Sequence, residues 1–290
     1  MKIAAAAWPL ETHADRAAYA AKLERWVKDA AQQGADLLMF PEYAAMEAAF
    51  CGEIPQGLST TQWIDRCVAA NPGNDALHAE LARRYDVHIL AGSGPCAAEG
   101  RFVNRAWLHA PDGTAAHVDK QMLTPWERSE TPLVPGDPPA LYDTALGRLA
   151  ILICYDSEFP LLARRVPGEV LLVPSCTETI RGASRIRIAA MARALEGRRA
   201  VITSATLGAV ADCVFLDANA GRAGHYAPAD IGFSEEGLLD ESPLNVPGWV
   251  VWEHDTGLRP PGGVDVPAHW EEQSRAPETP EIRALRPRGT

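Results

Sequence analysis

Short, almost wholly apolar runs recur along this chain between stretches of helical periodicity, and that alternation restricts the fold more than any other feature. Ile3 to Trp8, Leu37 to Phe40, Leu149 to Ile153 and Val170 to Val173 are too short for core helices, so they read as buried strands. Residues 14–33 carry Leu23, Trp26, Val27 and Ala30 at helical spacing and end at Gly34, a natural helix stop. A second helix is predicted over 74–85, with Leu77, Leu81 and Tyr85 on one face, and further helices near 158–165 and over 184–199. Val87 to Gly92 and Val201 to Ser204 add strands. Pro111-Asp112-Gly113 separates strand-like residues 101–109 and 114–119, which predicts a hairpin. Strands joined both by helices and by hairpins make an α/β chain, read here as a single domain.

The length of 290 residues admits one large domain, and a 47% hydrophobic content is enough to bury a core. A formal charge of −11 argues against sequence-independent phosphate binding and against adhesion to an anionic membrane. No apolar run approaches a membrane span, and the opening MKIAAAAWPLE is too short for a signal-peptide core. The six cysteines (51, 67, 96, 154, 176 and 213) are widely spaced, with no CxxC pair, so free thiols and a cytoplasmic location are expected. The expected partners are small molecules and further copies of the chain, not nucleic acid or membrane. From about residue 215, Gly, Pro and acidic residues become dense. The domain is therefore expected to occupy 1–257, with 258–290 a Pro-rich arm or tail.

Three of the apolar or hairpin strands end in a reactive side chain: LLMFPEY in Glu42, AAHVDKQ in Lys120 and LAILICYD in Cys154. Ligand sites in α/β sheets gather where strands end, so these three ends could meet in one pocket. Singly, each has an ordinary reading. A cysteine after an apolar strand is more often an inert core thiol, and Glu42 and Lys120 could be a turn acid and a surface charge.

Together, P-E-Y after a strand, D-K before a loop and C-Y-D-x-x-F-P after a strand resemble the signature of the nitrilase (carbon–nitrogen hydrolase) superfamily. Ala-Arg-Ala-Leu-Glu at 192–196 is similar to that family's A-R-A-x-E helix motif. The resemblance covers much of residues 1–255. It implies an α-β-β-α sandwich that dimerises, and a catalytic Glu42, Lys120 and Cys154. It also implies a second glutamate soon after the lysine. Glu127, seven residues on, fits a short loop; Glu130 competes, and the ordinary reading of both is a surface acid.

In such a site Glu42 would take the thiol proton, pass it to the departing amine and then activate water. Lys120 would stabilise the oxyanion together with a backbone N–H, that of Tyr155. Glu127 would orient Lys120 or help to place the substrate and water. Cys176 and Thr177, after the next strand, would line the substrate side. Asn104 reads as structural, and Arg193 and Glu196 as contacts holding their helix to the active-site loops. Arg181, Arg185 and Arg187 could bind a substrate carboxylate, although a solvated helix start is the plainer reading. No cofactor or metal is implied.

Cys154-Tyr155-Asp156 resembles the amidase branches more than the Cys-Trp-Glu of true nitrilases. Thr-Pro-Trp-Glu-Arg and Pro-Ser-Cys-Thr-Glu-Thr resemble a less characterised bacterial branch, sometimes fused to an acetyltransferase domain; none fits within this chain. The expected function is hydrolysis of a non-peptide C–N bond of a small amide through a Cys thioester. The alternatives are a nitrilase, an N-carbamoyl amino acid hydrolase, a non-catalytic binding protein of the same fold, or a thiol redox protein.

Overall fold

The computed structural model describes residues 1–255 and 263–274. β1 (Lys2–Pro9) runs through the middle of the sheet, and its run of alanines lets packed layers approach closely. The strand alternates between two cores. Ile3, Ala5 and Ala7 join one cluster, while Ala4, Ala6 and Trp8 join another, as a period of two requires.

α1 (Arg16–Gln32) begins at Asp15, whose carboxylate accepts the Ala18 amide, and turns out of the helix at Gln33 and Gly34. β2 (Leu37–Met39) follows and pairs parallel with β1. α2 (Thr60–Tyr85) starts in a capping box between Ser59 and Gln62. It is fourteen residues longer than the periodicity of 74–85 predicts, because it continues through Pro72. Arg16 of α1 lies against this part of the helix and donates to the Ala70 carbonyl at 3.3 Å. Its guanidinium occupies space that any side chain at Gly73 would fill, since a Cβ there would lie 2.4 Å from Arg16 Nη2. The helix thus continues through a local breaker, with Arg16 of a neighbouring helix packed against it.

β3 (His88–Leu90), β4 (Gly94–Ala98), β5 (Arg101–His109) and β6 (Ala115–Asp119) come next, with β5 and β6 forming the expected hairpin around Gly113 at φ +91°. α3 (Pro125–Glu130), β7 (Leu141–Thr144), β8 (Gly147–Ile151), α4 (Pro160–Arg165), β9 (Val170–Ser175), α5 (Ile180–Gly197) and β10 (Ala200–Leu207) complete the main run. The strand order is β4-β5-β3-β2-β1-β10-β9-β8-β7, with β6 added on β5.

The sheet curls so that its halves face each other, and Tyr142 of β7 donates to the His117 carbonyl of β6 at 2.7 Å. α1 and α2 cover one outer face, where Tyr19, Leu23, Val27, Trp63 and Leu81 pack. α4 and α5 cover the other through Ala163, Ile186, Ala190 and Ala194. The architecture is the α-β-β-α sandwich.

The Gly- and acid-rich stretch also returns to the sheet. β11 (Gly224–Tyr226) pairs with β10, β12 (Leu238–Glu241) with β11, and β13 (Gly248–Glu253) runs antiparallel to β1 over six residue pairs. A 3-10 turn at Val266–His269 and α6 (Trp270–Gln273) follow. The remainder of the expected 258–290 arm, within 256–262 and 275–290, lies outside the described residues. Among the described residues no helix is long and apolar enough to cross a membrane.

Candidate active site

Glu42 leaves β2 through Pro41, and Tyr43 then adopts a left-handed backbone at φ 60° before a 3-10 helix at Ala44–Ala49. This turn lies directly on the end of β3. A Cβ at Gly92 would meet the Pro41 carbonyl at 2.8 Å and the Ala44 Cβ at 2.5 Å, so only glycine admits that packing. Thr206 of β10 donates to the Glu42 carbonyl at 2.5 Å from the other side.

Lys120 follows β6, with its amide on the Asn104 carbonyl at 2.9 Å. Cys154 opens a 3-10 helix at Cys154–Glu158 and is left-handed itself, at φ 48°. Asp156 ties these two strand ends together. Its carboxylate accepts the amides of Gln121 at 3.1 Å, Met122 at 2.6 Å and Ile153 at 3.3 Å. Burial pushes the Asp156 carboxyl up to about 7 against the pull of those amides.

Four side chains from four separate chain segments converge here. Lys120 Nζ lies 2.7 Å from Glu42 Oε1 and 2.8 Å from each Glu127 oxygen. Asn104 Nδ2 donates to Glu42 Oε1 at 3.0 Å, and the Cys176 amide donates to Glu42 Oε2 at 3.1 Å. The Cys154 thiol donates to the Cys176 carbonyl at 3.3 Å, and the Glu42 carboxylate lies near enough to raise its pKa. Glu42, Lys120, Glu127 and Cys154 are each between 1% and 4% exposed.

Glu127 is placed by α3, which the periodicity does not predict. Thr124 and Glu127 form a capping box: the Glu127 amide reaches Thr124 Oγ1 at 3.2 Å, and the Thr124 amide reaches Glu127 Oε2 at 2.7 Å. The T-x-x-E spacing with Pro125 at the first helical position is the sequence signal for it. Tyr43 donates to Glu127 Oε1 at 2.5 Å. Glu130, at the far end of α3, is exposed and makes no contact with Lys120 among those described.

One ammonium between two buried carboxylates decides the charge states. Burial would depress Lys120, but Glu42 and Glu127 outweigh it and hold the ammonium above its ordinary range. Burial raises Glu42, Lys120 opposes the rise, and the charge of Glu127 adds to it. Burial also acts on Glu127, yet Lys120 and the Tyr43 hydroxyl win there and keep it ionised below the usual range. Burial and the neighbouring Glu42 push the Cys154 thiol well up, against Lys120. The resting site is therefore thiol, carboxylates and ammonium, with Glu42 the group best placed to take a proton.

Of the other predicted residues, Tyr155 is half-buried, with its ring edge-on to Phe159 at 5.0 Å and facing the Arg185 guanidinium at 6.0 Å. Its amide falls in the first turn of the 3-10 helix, where amides lack an intrahelical acceptor. Cys176 and Thr177 face the 219–220 segment, through Cys176 Sγ to Asn219 Oδ1 at 3.0 Å and Thr177 Oγ1 to the Ala220 carbonyl at 2.5 Å. Arg185 pairs with Glu158 and Arg187 with Glu241, while Arg181 is exposed. Arg193 donates to the Ser157 carbonyl at 3.2 Å and pairs with Glu196, which anchors α5 to the turn that carries Cys154.

Sequence reasoning assigned Asn104 to structure alone and gave no site role to Tyr43, Asp156 or Thr206. Tyr43 and Asp156 stand beside Glu42 and Cys154 inside the quoted motifs, so adjacency was the available signal. Thr206 had none. Among the described residues, His117, Asp119 and Asp137 bring possible ligand atoms within 4.8 Å of one another. Arg105 and Arg101 already neutralise the two carboxylates.

A family model described as carbon-nitrogen hydrolase matches residues 2–225. The chain is 31% identical to a probable hydrolase, YhcX, of Bacillus subtilis (strain 168), over 82% of this chain but only 46% of that protein. It therefore spans about half the length of that relative. It is 30% identical to a deaminated glutathione amidase of Synechocystis sp. over 64% of this chain and 70% of the other. A solved mutant of the amidase from Nesterenkonia sp. AN1, carrying acrylamide joined by Michael addition at its active-site cysteine, superposes with a TM-score of 0.69. That likeness, at 22% identity, covers 95% of this chain and 98% of the other and speaks to the fold. The chain belongs to the carbon–nitrogen hydrolase family.

Proposed function

We propose that this carbon–nitrogen hydrolase acts as a cysteine-dependent amidase on a small amide, forming a Cys154 thioester and releasing ammonia or an amine. The observation that carries the reading is the Lys120 ammonium held between Glu42 and Glu127, with the Cys154 thiol against Glu42.

Because the thiol is held protonated, attack and proton transfer to Glu42 belong to one step. Cys154 Sγ bonds to the amide carbon as its proton moves to Glu42. The oxyanion forms against the Lys120 ammonium and the Tyr155 amide. Lys120 remains charged throughout, so it acts as a cation and not as a base. The C–N bond then breaks as Glu42 returns the proton to the leaving nitrogen. Water, deprotonated by Glu42, attacks the thioester, and the proton it yields restores the thiol as the acid departs. Glu127 keeps Lys120 in place, and Cys176 and Thr177 border the acyl side.

We also take residues 1–257 as one hydrolase domain, a reading supported by the pairing of β13 with β1. A homo-oligomer is supported by the outer stripe of α4 and α5, where Leu161, Ile180, Ile188 and Leu195 are exposed. The test of the activity is ammonia release from a panel of small amides, ω-amides, carbamoyl amino acids and nitriles, with Cys154→Ala in parallel. Turnover of amides, lost in the variant, is expected. Turnover of nitriles alone would select the nitrilase reading, and none from any substrate would overturn the hydrolase reading.

A further inference from the structure

The donors that reach Glu42 divide unequally between its two oxygens. Oε1 receives the Lys120 ammonium at 2.7 Å and the Asn104 amide at 3.0 Å, whereas Oε2 receives the Cys176 backbone amide at 3.1 Å. Each carboxylate oxygen offers about two acceptor sites, so two donors fill Oε1 and the vacant site falls on Oε2. The orientation of the Asn104 amide follows from its partner, because the reversed amide would set its oxygen against a carboxylate oxygen.

Asn104 sits within β5 at 0% exposure. Its carbonyl accepts the Lys120 amide at 2.9 Å, so this one residue grips the lysine by the main chain and the glutamate by the side chain. Its own Oδ1 is buried with no hydrogen-bond partner among the described residues. An unpaired buried acceptor is destabilising, and an apolar side chain of similar volume would avoid it. Packing alone therefore does not account for an asparagine here.

We propose that Asn104 is a positioning residue of the hydrolytic reaction: with Lys120 it fills Glu42 Oε1, which reserves Oε2 for the Cys154 proton and favours the ionised carboxylate. The inference rests on reading Glu42 as the base for Cys154. The other titratable groups facing Glu42 are Lys120, Glu127, Cys154, Tyr43 and Cys176.

The experiment measures the iodoacetamide alkylation rate of the Cys154 peptide by mass spectrometry across about pH 4 to pH 10. It uses the full chain as wild type, Glu42→Gln, Asn104→Leu and Asn104→Ser, and no substrate enters. Losing the Asn104 donor is expected to move the acid limb upward by about one pH unit, tenfold in rate on its acid side. In amide turnover the same limb should move while KM changes less than about twofold, since Asn104 acts through Glu42 and not on substrate. A Glu42-dependent limb that both Asn104 variants leave in place would overturn this inference alone. If Glu42→Gln does not alter the wild-type limb, the base assignment itself fails. Loss of the fold in both Asn104 variants would also overturn the proposal, because a role exerted through one N–H requires the scaffold to survive without it.

Discussion

Lys120 Nζ and Glu42 Oε1 lie 2.7 Å apart, and each side chain is only 1% exposed. Taking one partner from such a pair leaves the other as an uncompensated buried charge. Lys120→Met would strand two carboxylates, Glu42 and Glu127, and is expected to cost about 3–5 kcal/mol at neutral pH as well as turnover. The stranded carboxylates would then bind protons more tightly folded than unfolded. Stability should therefore be partly regained on acidification and lost again as pH rises through their raised pKa values. Urea unfolding at two pH values checks this: a penalty that is smaller at pH ~5 than at pH ~8 is expected. An equal penalty at both would mean that the charges are not coupled through Lys120.

With Glu42 as the proposed base, its raised carboxyl is expected to set the acid limb of activity. As a base it must be ionised, so kcat/KM should fall as pH drops through a value above the ordinary ~4.3 for glutamate. The alkaline side should stay flat to high pH, because Lys120 and the Cys154 thiol are both held upward. Glu42→Gln should remove the acid limb and lower kcat/KM by about 10²–10⁴-fold, with the profile measured on the best amide. A limb that persists in the glutamine variant would point to another group.

The strand ends that deliver Glu42 and Cys154 were legible because fully apolar runs of four and five residues leave little choice but a buried strand. Lys120 was legible through the turn at Gly113, which fixes the register of β5 and β6. The first half of α2 was not, since Pro72-Gly73 signals a stop through which the helix nevertheless continues. β13 was hidden for a similar reason. Its pairing with β1 joins residues some 250 positions apart, and no local pattern encodes that partner. Asn104 belongs to the same class. A polar residue in a strand announces no ligand until the fold sets Glu42 beside it.

Cys154 carries its side chain on a left-handed backbone, at φ 48°, where a residue other than glycine costs roughly 1–2 kcal/mol. In an ordinary helical or strand position, glycine is about 0.5–1 kcal/mol worse than alanine. At this position the order should close or reverse. Cys154→Gly is expected to be at least as stable as Cys154→Ala in urea unfolding, with turnover expected to be lost in both. If glycine is the less stable by the usual margin, the turn does not hold the strain that its φ implies.

Thr124 offers a way to loosen Glu127 without touching the charges. Its hydroxyl accepts the Glu127 amide at 3.2 Å, while Glu127 Oε2 accepts both the Thr124 amide at 2.7 Å and the Lys120 ammonium at 2.8 Å. One carboxylate thus serves as helix cap and as lysine partner. Thr124→Ala removes the hydroxyl and should cost about 1 kcal/mol of stability, whereas Thr124→Ser should keep most of it. The catalytic effect discriminates more. If α3 exists to hold Glu127 on Lys120, Thr124→Ala should lower kcat several-fold with KM little changed, and less than Glu127→Gln does. If it lowers stability alone, Lys120 is positioned by Glu42 at its ammonium and by the Asn104 carbonyl at its backbone amide, without help from the cap.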